Sequence, residues 1–224
     1  DNPFIFTGSG SGNKNISRSI GLYDLHFTYS KEIEHQLKTA FKAKTSYLPF
    51  GYDLDDKVYL EAGKQEEVLK CCFLGNPDRR RARFIRELAE ANVEIDLFGN
   101  FWAGYIRKPN VTIHPPVYDV AFYRTLQRYR VQLNMMRIHN LRSHNMRTFE
   151  IPAVGGIQLA PDTPEHRLFF HDDKEIFLYN NSRECVDKIN KMLAFSPDQA
   201  KEVRAKARNR SVNSGYSYRH RSLQ

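Results

Sequence analysis

The chain has 224 residues, 41% hydrophobic and 12% aromatic, enough for one large domain or for one complete domain and part of another, which excludes wholesale disorder. No run approaches the ~20 apolar residues that span a bilayer, and the amino-terminal residues lack a signal-peptide pattern, so a soluble, cytoplasmic protein is expected. The net charge of +8 permits nucleic acid, an anionic membrane surface or a phosphate-bearing small ligand; the arginines are dispersed and do not choose among them.

In the first 60 residues the pattern predicts a strand at 4–6, then the run Gly8-Ser9-Gly10-Ser11-Gly12. That run lacks phosphate-loop spacing and reads equally as a flexible loop. A strand-like segment follows at 23–28, a helix near 31–41 and a strand at 47–50. Residues 53–63 are polar and charged and predict a linker. The Asp53-Leu54-Asp55 triplet within them has the form of a metal motif but reads as solvated linker.

From residue 68 strands and helices alternate. VLKCCFLG (68–75) reads as a buried strand ending in glycine, with Cys71 and Cys72 as small buried hydrophobes rather than disulfide partners. Pro77 and Asp78 open a helix with Ala82, Ile85, Leu88 and Ala89 on its apolar face. Strands are predicted at 93–98 and 111–114. A helix capped by Asp119 follows, with Phe122, Leu126 and Tyr129 inward, then a strand at 131–136. Asn145 caps a short helix through Glu150, broken near Pro152 and Gly155-Gly156. Two more strands fall at 157–160 and 175–179. Helix starts follow at Asn181 with Glu184, and at Ser196-Pro197-Asp198-Gln199, whose pattern is a capping box with proline at the first helical position. Strand–helix alternation over 66–215 predicts βαβ units in a parallel, doubly wound sheet, with ligands outside the carboxyl ends of its strands. Zinc is not expected: no C-x-x-C pair exists, and His139 and His144 are five apart, off a common helical face.

The run Arg147-Thr148-Phe149-Glu150-Ile151-Pro152-Ala153-Val154-Gly155-Gly156 resembles the R-x-F-E-x-x-A-x-G-G signature of CgeB-like glycosyltransferases, the spore maturation protein group related to glycosyltransferase family 4. Tyr23-Asp24-Leu25-His26-Phe27-Thr28, Leu48-Pro49-Phe50-Gly51-Tyr52-Asp53, Phe73-Leu74-Gly75 with Arg79 to Arg81, Phe98-Gly99 with Trp102, Leu133-Asn134 and the closing Tyr216 to Arg221 match the same family in order. The resemblance implies the GT-B fold, an α/β architecture: a complete C-terminal Rossmann-like doubly wound parallel sheet (66–215) plus the tail of an N-terminal, acceptor-side Rossmann-like domain (1–52). A linker (53–65) would join them and a C-terminal segment (216–224) would return. Asp1-Asn2-Pro3 resembles a motif near the end of the family's N-terminal domain, which implies that the chain begins late.

What the resemblance implies about function is sugar transfer from a nucleoside-diphosphate-sugar donor, of UDP or GDP type, to a glycan, protein or small-molecule acceptor, without metal or other cofactor. Peripheral membrane contact is compatible with it; nucleic acid is not an expected partner. Glu150 would accept hydrogen bonds from the ribose hydroxyls, its alternative being an i, i+3 pair with Arg147. Asn145 to Thr148 would form an anion-favouring first turn, to which Arg147 adds charge or from which it turns to Glu150. Gly155 and Gly156 permit close backbone approach near the sugar or simply stop the helix. Gly75 and Asn76 lie where the diphosphate is expected, followed by Arg79, Arg80 and Arg81, of which at most one or two face a ligand. Val117 and Tyr118 resemble the base-contacting loop, and Tyr118 stacks on a base or packs in the core. Where many family 4 enzymes carry the first glutamate of an E-x7-E pair, this chain has Arg142. Two other readings stand beside transfer: a non-catalytic nucleotide-binding module, and a nucleic-acid-binding α/β protein resting on charge alone.

Overall fold

The computed structural model describes residues 2–5, 12–63 and 65–223. Its main body is a six-stranded parallel sheet: β3 (Val68–Leu74), β4 (Ile95–Phe98), β5 (Val111–His114), β6 (Tyr129–Leu133), β7 (Gln158–Pro161) and β8 (Phe177–Tyr179). The order is β5-β4-β3-β6-β7-β8. The chain runs outward from β3 to β5, crosses back, and continues from β6 to β8, so the order reverses between β3 and β6. This is the doubly wound topology expected from the alternation.

β3 is central, and Cys71, Cys72, Phe73 and Leu74 are all buried, as a strand covered on both faces requires. One face packs under α4 (Arg79–Glu90) and α8 (Ser182–Leu193) through Ala82, Ile85, Leu88, Cys185, Ile189 and Met192. The other packs under α3 (Asp56–Ala62), α5 (Asp119–Arg128) and α6 (Arg147–Ala153) through Ala62, Phe122, Leu126, Ile151 and Val154. α7 (Pro164–Phe169) brings Phe169 into a further cluster with Phe149, Ala160 and Tyr216; α9 (Pro197–Asn213) starts at the full Ser196/Gln199 capping box, joins the α4/α8 side through Ala200 and runs against α6. Asn181 caps α8 through the Glu184 amide, while the Glu184 carboxylate turns back to Asn180.

The amino-terminal part holds α1 (Lys14–Ser19), β1 (His26–Thr28), α2 (Lys31–Phe41) and β2 (Thr45–Tyr47), with β1 and β2 paired in parallel. Tyr52 bridges to Ser217 just before α10 (Tyr218–Arg221): the Tyr52 amide donates to Tyr216 and the Tyr218 amide to Tyr52, at 3.2 and 2.9 Å. Among the described residues no helix is long and apolar enough to cross a membrane.

Several expectations change. Pro3 and Phe4 form a turn, closed by the Asn2 side chain accepting from the Phe4 amide at 2.9 Å; Asp1, Phe6 and the run from Gly8 to Ser11 lie outside the described residues. The second strand ends at Tyr47 instead of starting there. Asp119 does not cap α5 but is its first residue, and Tyr129 leaves that helix to begin β6. The polar stretch 53–63 carries a helix, because Asp55 caps it and Ala62 is buried against the α5 layer; Asp53 and Asp55 are exposed. α7 is an additional helix, begun by Thr163 accepting from the His166 amide at 3.0 Å with Pro164 at its first position.

Candidate functional site

A cleft of about 300 Å³ opens at the carboxyl ends of β3 and β6, where the strand order reverses. The turn after β3 contributes Gly75 and Asn76, the loop after β6 contributes Asn134, Met135 and Met136, and the head of α6 contributes Asn145 and Arg147. Arg81 forms the floor between the two strand ends. Its guanidinium donates to the carbonyls of Asn76 (3.1 Å) and Met135 (2.6 Å), while Nε lies 3.8 Å from the Asp78 carboxylate. Burial lowers its pKa to about 10, so it stays cationic at neutral pH.

The turn after β3 is fixed from behind. Trp102 is fully buried and donates its indole N–H to the Gly75 carbonyl at 2.8 Å; its ring meets Phe73 edge to face. Gly99 packs so closely that a Cβ there would fall 2.5 Å from the Gly75 oxygen. Asn76 in turn accepts from the Asn100 amide at 2.9 Å. The Phe98-Gly99-x-x-Trp102 motif is thus the scaffold of the Gly75–Asn76 turn.

On the opposite wall Asn145 caps α6, its side chain accepting from the Thr148 amide at 3.2 Å while Met146 already has helical dihedrals. Asn145 and Asn134 exchange amide hydrogen bonds. Arg147 lies 4.2 Å over the Phe122 ring and pairs with Glu150. Its Nε is buried without a hydrogen-bond partner among the described residues. Glu150 follows Arg147 by one helical turn on α6 and does not itself line the cleft. The Tyr123 phenol nearby is pushed up to about 12 by burial, then by the negative charges of Glu150 and Asp53.

The predicted site residues therefore divide. Gly75, Asn76, Asn145 and Arg147 converge on the cleft, with Glu150 attached through Arg147. Arg79 does not line it: it is exposed on the first turn of α4, and the helix phase turns Arg81 inward instead. Gly155 and Gly156 belong to the opposite, amino edge of the sheet, between the end of α6 and the start of β7. Gly155 has φ +75° and stops the helix, and a Cβ on Gly156 would lie 2.7 Å from Ile151 Cγ2. They serve helix termination and packing. Val117 packs against the α5-side core, and Tyr118 is 66% exposed at the head of α5. Arg142 lies in the turn before α6, outside the cleft lining. Tyr29 and Phe50, neither expected at the site although Phe50 stands in the Leu48–Asp53 motif, stack at 4.4 Å and close the cleft from the amino-terminal side.

Thr148 reaches from α6 to His166, whose Nε2 accepts its hydroxyl at 3.0 Å while Nδ1–H donates to the Pro161 carbonyl at 2.7 Å. Burial lowers the His166 pKa to about 4 from 6.5. The unfolded chain thus binds the proton first, and stability falls as pH drops from 6.5 toward 4. The share of His166 over this window is expected to be roughly 3 kcal/mol, read as the difference in urea-unfolding free energy loss between wild type and His166→Gln.

Much of the basic excess is used inside the fold. Arg130, 3% exposed, pairs with Glu67, and Arg204 donates to carbonyls of Gln127, Tyr129 and Gly155. Arg208 and Arg210 likewise bind carbonyls, of Ala153 and Phe169. What remains at the cleft suits a compact anion better than a polyanion track. Among the described residues no group of three His, Cys, Asp or Glu side chains is placed to hold a metal.

The sequence model of the glycosyl transferase-like family matches residues 79–224. The chain belongs to this family. No curated protein matches it. Among solved structures, this glycosyl transferase-like chain superposes on TarM from S. aureus, crystallised with UDP, with a TM-score of 0.72, 14% identity, and coverage of 99% of this chain and 48% of that one. HepE from Anabaena, in complex with UDP-glucose, gives 0.70, 12%, 94% and 65%. Sucrose-phosphate synthase from Thermosynechococcus elongatus gives 0.67, 13%, 98% and 62%. At these identities the likeness shows the fold, that of GT-B glycosyltransferases, and this chain spans about half to two thirds of the length of those structures.

Proposed function

We propose that this glycosyl transferase-like chain binds a nucleoside-diphosphate sugar in the cleft between β3 and β6, as the donor-binding part of a CgeB-like glycosyltransferase. In this reading residues 66–215 form the donor domain, 1–52 belong to the acceptor-side domain, 53–65 link them and 216–224 return. The observation that carries it is the convergence of Arg81, Arg147 and the Gly75–Asn76 turn at the point where the strand order reverses.

In transfer an acceptor atom bonds to the anomeric carbon and gives up its proton, the bond from that carbon to the diphosphate breaks, and negative charge grows on the departing diphosphate. Fixed cations in a partly desolvated cleft stabilise that charge more than the ground state. Arg81 is held rigidly for this role, and Arg147 turns from Glu150 toward the phosphates, leaving Glu150 free to accept from the ribose hydroxyls. No metal is assigned a part, and chelator is expected to leave binding unchanged. TarM and HepE, which share the fold, are described with UDP or UDP-glucose, and this supports a uridine donor as the first probe.

Calorimetry with UDP and GDP tests the reading. Binding is expected, and Glu150→Ala should weaken it by roughly 1–3 kcal/mol, about 5- to 150-fold. The absence of binding to any nucleoside diphosphate at millimolar concentration would overturn it.

A further inference from the structure

Behind the Tyr29–Phe50 wall lies a buried polar knot that joins the amino-terminal elements to the main sheet. His144 is fully buried. Its Nδ1 contacts the Glu165 carboxylate, and its Nε2 accepts the Phe50 amide N–H at 3.1 Å. Glu165 also accepts from the Lys31 amide (2.8 Å), the Ser143 hydroxyl (2.8 Å) and the Tyr47 phenol (3.2 Å). The His144 ring meets both Tyr29 and Phe50 edge to face, at 5.9 and 5.7 Å. The two walls of the cleft are therefore tied through one imidazole and one carboxylate.

The hydrogen bonds fix the protonation state. An Nε2 that accepts a backbone N–H must carry a lone pair, so the imidazole is neutral with its proton on Nδ1. A second proton on Nε2 would face the Phe50 N–H donor to donor. We propose that His144 and Glu165 are positioning residues for the nucleotide cleft, holding the Tyr29–Phe50 wall in place, and that protonation of His144 releases this wall and weakens nucleotide binding. This rests on the nucleotide-binding reading above.

The surroundings agree in sign. Facing the pair are Lys31 and Tyr47, with Lys31 Nζ 3.7 Å over the Tyr47 ring and paired to Glu34, together with Tyr29, His166 and Arg221. Burial holds the His144 pKa below its ordinary value against the opposing pull of Glu165, and His166 is likewise held neutral. The Glu165 carboxyl is held low by its hydrogen-bond donors despite burial.

The test uses UDP calorimetry at pH 8 and pH 5.5 with hydrogen exchange at the Phe50 and Lys31 amides, on wild type, His144→Phe, His144→Gln and Glu165→Gln. Between pH 8 and pH 5.5 wild type should lose at least threefold more UDP affinity than His144→Gln does, with a lower Phe50 protection factor once the acid slowing of intrinsic amide exchange is divided out. His144→Phe should lose at least tenfold in affinity at pH 8 and lose Phe50 protection. His144→Gln, whose amide oxygen reaches the Nε2 position, should restore part of both and flatten the pH dependence. If His144→Phe does not fold, Glu165→Gln and His144→Gln carry the comparison. Wild-type UDP binding with unchanged affinity and unchanged Phe50 protection in the variants overturns the proposal while the nucleotide reading stands. A wild type that binds no nucleotide fails that reading and the affinity half of this proposal; Phe50 and Lys31 exchange then decides whether the knot holds the wall.

Discussion

Arg81→Ala is expected to abolish detectable UDP binding in the millimolar range and to lower the free energy of unfolding by about 2–5 kcal/mol. Both effects come from one geometry. The guanidinium spans the ends of β3 and β6, donating to the carbonyls of Asn76 and Met135, and it is 8% exposed. Removing it strands the buried Met135 carbonyl, at about 1–3 kcal/mol, loses the part-buried bond to Asn76 and takes away the cation at the floor of the cleft. Arg81→Lys keeps a charge but cannot reach both carbonyls as a planar fork does, so it should recover part of the binding and less of the stability. Arg79→Ala, two residues away and exposed, should change stability by no more than ~0.5 kcal/mol and leave UDP affinity unaltered. Calorimetry and urea denaturation on the three variants check this. An Arg81→Ala protein that binds UDP as wild type does would remove Arg81 from the site.

The contrast between Arg79 and Arg81 shows how far the sequence was legible. Arg81 stands four and seven residues before Ile85 and Leu88, on the same helical face, so the phase that identified the core also marks the arginine that turns inward. Gly155 and Gly156 carry a similar lesson. In a parallel α/β sheet, ligands meet the turns that lead from strand to helix, and these glycines lead from helix to strand. The strands of the main sheet, the α4 face and the α9 capping box were readable because each is set by residues within one turn or one pleat, whereas among the described residues the strands expected at 4–6 and 47–50 were not found there. α3 and α7 were readable in principle from Asp55 and from Thr163-Pro164, whose side chains cap them, but their short apolar faces gave little periodicity. The knot around His144 was not legible. Phe50 and His144 are 94 positions apart and Lys31 and Glu165 are 134 apart, and no local pattern announces such pairs.

The second large effect is expected at Trp102. Trp102→Ala should destabilise the chain by about 3–5 kcal/mol through the cavity alone, since the indole is fully buried against Phe73. It also removes the N–H that satisfies the Gly75 carbonyl, on the turn that faces the cleft. Trp102→Phe separates the two contributions: most of the packing remains while the hydrogen bond is lost, for about 1–3 kcal/mol. If the indole N–H holds the Gly75–Asn76 turn in shape, Trp102→Phe weakens UDP binding by more than its stability loss would suggest, at temperatures where the variant is fully folded. If packing alone matters, its affinity matches wild type and only Trp102→Ala binds poorly. Urea unfolding gives the first quantity and calorimetry on the folded variants the second. The Gly75 carbonyl also packs against Gly99, where a Cβ would lie 2.5 Å from its oxygen, and the expected result is the loss of affinity in both variants.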